Sequence, residues 1–105
     1  MGSAPHPDVF RALADPVRWA LLERLSREPE VARKDLYEAL ALPQTALSYH
    51  LHVLLDAGLV EIRKDGRKLY CRLSHRTLSA LQDALGGLTP CDEAARGDSL
   101  DAARP

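Results

Sequence analysis

The chain has 105 residues, of which 28% are charged and 46% apolar, with a formal net charge of −1. That is the length of one modest domain of ordinary soluble composition. No apolar run approaches about 18 residues and no basic-then-apolar leader opens the chain, so the reading is a cytoplasmic protein with neither a membrane span nor a signal peptide.

In chain order, "MGSAPH" reads as a flexible arm over residues 1–6, and "DVFRALA" as a short helix with Val9, Phe10 and Leu13 on one side. Asp15-Pro16 restarts the chain, because Asp is a good N-cap and Pro fits the first helical position. The second helix, "PVRWALLERLSRE", sets Val17, Leu21 and Leu25 on one stripe flanked by Ala20 and Leu22. A third helix, "RKDLYEAL", is followed by "ALP" and then by "TALSYHLHVLLDAGLV", whose helix stops where Gly58 can take the left-handed conformation. Two short helices joined by a tight turn form a helix-turn-helix. Next, "LVEIRK" and "RKLYCRL" flank Asp65-Gly66, a signal for a type I′ hairpin pairing Lys64 with Arg67, Ile62 with Leu69 and Val60 with Cys71. Alternation places Val60, Ile62, Leu69, Cys71 and Leu73 on its inner face and Arg63, Lys68 and Arg72 on the other. Ser74 caps a last helix that ends at Gly86-Gly87, with Leu78, Leu81, Leu85 and Leu88 at the spacing of a packed helix pair. Residues 89–105 read as a flexible tail. The fold class is therefore mainly α with a small β-hairpin, a winged helix-turn-helix over residues 7–88.

The fourth helix carries two faces. Leu47, Leu51 and Leu54 line one, which a core needs; Thr45, Ser48, Tyr49 and His52, with Gln44 just ahead, line another. A merely wetted helix would show the same polar face. The neighbouring hairpin decides between these readings, because residues 59–76 hold six cations (Arg63, Lys64, Arg67, Lys68, Arg72, Arg76) against Glu61 and Asp65, a net +4, while the rest of the chain totals −5. A polar helix face beside a basic hairpin is the chemistry of a helix in a DNA major groove with cations on the flanking phosphates. A solvated edge strand guarded by Lys and Arg is the plainer account of the hairpin. His50, between Leu47 and Leu51, is expected to be partly buried and bonded within the fold.

In these residues the chain resembles the ArsR/SmtB family of small bacterial transcription regulators. "ALADPVR", "SYHLHVLLDAGLV" and "RKDGRKLYCRL" occur in order, and the likeness runs from about Pro7 to Leu88. Tyr49 stands where relatives often carry Arg, Ala41 where many have Gly, and Pro43 where a Ser or Thr cap is usual. The resemblance implies a homodimer built from first and last helices, adding Val9, Phe10 and Leu13 to Leu78, Leu81, Leu85 and Leu88, and a dimeric repressor on double-stranded DNA. The leucine seam can equally be core within one subunit. A second class remains open: a winged-helix protein-interaction module without sequence-specific DNA binding. An enzyme is not supported, since Ser48, His50, His52 and the cysteines assemble no nucleophile, base and orienter, and no phosphate-cradling glycine loop exists.

Family members commonly respond to a metal or metalloid. Ala32 and Lys34 replace the Cys-x-Cys pair of one family site, and "SHRTLSALQDALGG" offers His75 and Asp83 to the other without a second histidine. A nickel, cobalt or zinc site would have to recruit His6 to His75 or Asp83. The other reading is sensing through a co-regulator protein. Cys71 is expected to be a small buried hydrophobe and Cys91 an unpaired thiol, with a redox pair between them as the alternative.

Overall fold

A proline stands at the first position of each of the first two helices, where no amide hydrogen is needed: α1 runs Pro7–Leu13 and α2 Pro16–Leu25. The computed structural model describes residues 5–90; Cys91 and most of the expected arm and tail lie outside the described residues. Asp15 caps α2 by accepting from the amides of Val17 (2.7 Å) and Arg18 (3.2 Å). The chain continues through β1 (Val31–Ala32), α3 (Arg33–Leu40), α4 (Gln44–Asp56), β2 (Val60–Asp65), β3 (Lys68–Leu73) and α5 (His75–Gly86). The core is one cluster in which Leu21, Leu25, Leu36, Leu47, Leu54, Leu59 and Cys71 are fully buried. Every helix and the wing strands contribute to it, so the helix-turn-helix is held by burial rather than by propensity.

Two expectations need correction. The hairpin is the outer part of a three-stranded antiparallel sheet of order β1-β3-β2, with Val31 opposite Cys71 and Ala32 opposite Tyr70. A two-residue strand is too short to show any period. The turn is also displaced: Asp65 pairs with Lys68, Lys64 with Leu69, Ile62 with Cys71 and Val60 with Leu73. Gly66-Arg67 therefore forms the turn. Gly66 has φ 62°, while Ala41 is the only non-glycine with positive φ among the described residues, so the φ signs fit type II′ and not I′. The displacement moves each partner by two residues, and because side chains alternate with period two the inner face keeps its members. Val60 and Cys71 reach the core, whereas Ile62 is already exposed as the hairpin extends beyond it.

Helix α4 ends as expected. Gly58 has φ 77°, its amide bonds to Leu55 O (2.9 Å) and that of Leu59 bonds to Leu54 O (3.0 Å), the two bonds of a Schellman cap. At the turn between α3 and α4, Ala41 takes φ 52° and ψ 36°. A Cβ in that left-handed conformation costs about 1–2 kcal/mol. Ala41→Gly is expected to stabilise the fold by about 1 kcal/mol, net of the looser unfolded chain. In a domain of this size the melting midpoint then rises by about 5 °C, measurable by thermal denaturation at fixed protein concentration; an unchanged or lower midpoint would show that the strain is relieved elsewhere.

Cys71 is closed inside the sheet as a small apolar residue. Burial pushes its thiol up to about 11, against a weaker opposing pull from the nearby Arg33 charge. A thiol so protonated is inert at neutral pH.

Candidate nucleic-acid interface

Arg18 fixes the back of the fourth helix. Its Nε donates to Ala12 O (2.8 Å), one guanidinium nitrogen to Arg11 O (3.2 Å) and the other to His50 Nδ1 (3.2 Å), with the Asp15 carboxylate at 3.8 Å. Because arginine can only donate, His50 accepts at Nδ1 and carries its ring proton at Nε2. The Asp15 carboxyl is partly desolvated, but the Arg18 and Val17 amides and the Arg18 charge hold it below its ordinary range. "ADPVR" thus works as a bracket: it caps α2 and ties α4 to the α1–α2 junction. His50 is partly buried and bonded within the fold, as its sequence position implied.

With Leu47, Leu51 and Leu54 buried, the opposite face of α4 is turned outward. Gln44, Thr45, Ser48, Tyr49 and His52 are all exposed, Tyr49 at 62%. Tyr49 sits edge-on to His50 with ring centroids 5.3 Å apart, and His52 lies 3.4 Å from Asp56. Ser48 accepts a hydrogen bond from Arg33 at the start of α3.

The wing cations fall into two groups that the sequence could not separate. Arg63 donates to both carboxylate oxygens of Glu30, the Nε bond being 3.1 Å, and lies 4.5 Å over the Tyr70 ring. The Arg63 hydrogen bond holds the Glu30 carboxyl below its usual range, and Glu30 in turn raises Arg63. Arg72 donates to Glu61 at 2.9 Å. These two arginines are neutralised within the subunit. Among the described residues no carboxylate lies within ion-pair distance of Lys64, Arg67 or Lys68, all of which are exposed. The uncompensated charge is therefore concentrated at the wing tip, beside the exposed face of α4. Glu30 escaped the sequence reading because 33 positions separate it from Arg63.

Comparison with known proteins fits this geometry. A family model described as a helix-turn-helix domain matches residues 13–63. The chain is 33% identical to the arsenical resistance operon repressor of Staphylococcus xylosus over 85 residues, covering 81% of each chain. A crystal structure described as a "possible transcriptional regulator for arsenical resistance" superposes with a TM-score of 0.72 at 33% identity, covering 90% of this chain and 96% of that one. The chain belongs to the ArsR/SmtB family. ArsR/SmtB proteins are transcription regulators and not enzymes. The HTH-type transcriptional repressor SmtB of Mycobacterium tuberculosis is 39% identical over 72 residues, 69% of this chain. The chain spans about half the length of several such curated relatives, 53–54%.

Other ArsR/SmtB features are less complete here. Of the seven apolar residues expected at a subunit seam, Val9 and Leu81 are buried in the core and Leu13 and Leu78 pack against it. Phe10 (49%), Leu85 (55%) and Leu88 (74%) remain exposed. The metal candidates are dispersed. His6 Nδ1 accepts from the Asp8 amide at 3.1 Å as the cap of α1, and no three His, Cys, Asp or Glu side chains gather as a metal site among the described residues. His75 and Asp83 lie eight residues apart on α5, about 12 Å along its axis, too far to share one ion within a subunit. The described residues of one subunit do not gather around a resident metal. No helix among the described residues is long and apolar enough to cross a membrane.

Proposed function

We propose that this chain acts as a homodimeric, sequence-specific DNA-binding repressor, each subunit placing the Gln44 to His52 face of α4 in a major groove and the wing tip against the flanking backbone. The observation that carries the reading is the outward polar face of α4, backed by core leucines, beside Lys64, Arg67 and Lys68, which have no carboxylate partner among the described residues. Polar side chains on a rigid helix can meet base edges, and cations with no internal partner can meet phosphates without first breaking an ion pair. Phe10, Leu85 and Leu88 supply the apolar surface for a second copy, which would set two recognition helices about one DNA turn apart. Relatives named as operon repressors support the same reading.

Two effector readings follow. A nickel, cobalt or zinc response would need His75 of one subunit to meet Asp83 of the other, with His6 giving up its helix cap. Sensing through a co-regulator protein needs no such rearrangement.

The test is the salt dependence of binding to the promoter upstream of the chain's own gene. With about six phosphate contacts per dimer, log K should fall with log salt at a slope near −5. Arg67→Gln with Lys68→Gln removes four cations per dimer and is expected to bring the slope to roughly −2. An unchanged slope in the variant would show the wing to be a solvated edge. Equal affinity for promoter and scrambled duplex would favour a protein-interaction module.

A further inference from the structure

Between α3, the start of α4 and the wing tip lies a cleft of about 340 Å³ whose lining includes Arg33, Lys34, Arg67 and Lys68 and, among the described residues, no carboxylate. Leu47 and Leu69 form its apolar part, Tyr37 adds a hydroxyl and Gln44 an amide at the edge shared with the recognition face. Four cations from two separate parts of the chain, α3 and the wing, converge here. Like charges brought together repel, which costs stability unless an anion answers them. Arg33 spends a donor on Ser48 but has five, and Lys34 has no ion-pair partner among the described residues. Neither residue belongs to the recognition helix or the wing, and the sequence singles out Lys34 only as standing where one family site has a cysteine.

We infer that the backbone strand of the bound duplex runs through this cleft, Arg33 and Lys34 of α3 answering its phosphates from one side and Arg67 and Lys68 from the other, each cation meeting a phosphate of its own. The inference rests on the DNA-binding reading above. Its geometric basis is that neighbouring grooves of a duplex are separated by a phosphate strand. If α4 occupies one groove and the wing tip meets the next, the strand between them must pass over the space between α4 and the wing, which is this cleft. Phosphodiester oxygens are acceptors only, and the cleft presents cationic donors with a tyrosine hydroxyl beside them. These contacts fix how deeply α4 sits and carry no base preference themselves.

The experiment compares Lys34→Gln with Arg27→Gln, which removes the same charge from an exposed site outside the cleft lining. Both are measured against promoter and scrambled duplexes across a salt series. Lys34→Gln is expected to weaken binding to both duplexes alike and to make the slope of the dimer shallower by about 1.8, one phosphate per subunit at about 0.9 each. Lys34→Arg should restore the slope, and Arg27→Gln should leave it at the wild-type value. A wild-type slope in Lys34→Gln, or an equal loss in Arg27→Gln, overturns this strand path while leaving the DNA-binding reading intact. Failure of the wild-type protein to bind either duplex overturns both.

Discussion

Replacing Leu85 and Leu88 with glutamate is expected to give a folded monomer that no longer holds its operator. Both leucines are exposed in the subunit, at 55% and 74%, so neither change opens a cavity in the core, and the helical content should stay at the wild-type value. In the proposed dimer the same positions lie in an apolar contact. Four carboxylates would then be buried or forced apart, and an unpaired buried charge costs several kcal/mol. Sedimentation should show one species at the subunit mass. The operator affinity should fall from the 10⁻⁸–10⁻¹¹ M typical of specific dimers towards the roughly 10⁻⁴–10⁻⁶ M of non-specific contact, since a monomer reaches one half-site only. The loss is at least about 10²-fold. A double variant that stays dimeric and binds normally would place the subunit seam elsewhere, and Trp19, exposed at 51% on α2, would be the next apolar surface to test.

Gln44→Ala combined with Tyr49→Ala is expected to act on specificity and leave electrostatics untouched. Both side chains are neutral and exposed, so folding stability should change by no more than about 0.5 kcal/mol for each. A good base-edge contact is worth about 1–3 kcal/mol of discrimination, and each change is repeated in two half-sites. Preference for the promoter over a scrambled duplex should therefore fall by about 2–6 kcal/mol per contacting residue, a factor of at least about 30. The salt slope should stay near its wild-type value because neither side chain is charged and no cation–phosphate contact is lost. This pattern is the reverse of that expected for the wing variants. Retention of full promoter preference would mean that this face of α4 is only wetted.

How much of this was legible in the sequence depended on how locally each feature is specified. Asp15-Pro16 and Gly58 punctuate helices through the backbone chemistry of one or two residues, and both acted where their chemistry put them. The leucine spacing of α4 announced its buried face because a helix turns its side chains by a fixed angle. The hairpin was legible in its faces but not in its register, since Asp65-Gly66 and Gly66-Arg67 are both acceptable turns and alternation cannot tell them apart. β1 was invisible, as two residues have no pattern. Its existence depends on β3 offering an edge.

Sequence by itself determined the family, the order of the helices and wing, and which face of α4 is polar, because each rests on short-range periodicity or on motifs of a few residues. Tertiary structure alone decided which cations are available. Glu30 and Glu61 quench Arg63 and Arg72, while Arg33 and Lys34 are carried across to stand opposite the wing tip. Charge pairing acts through space over a few ångströms, and here those ångströms join residues 11 positions apart in Glu61–Arg72 and 33 apart in Glu30–Arg63.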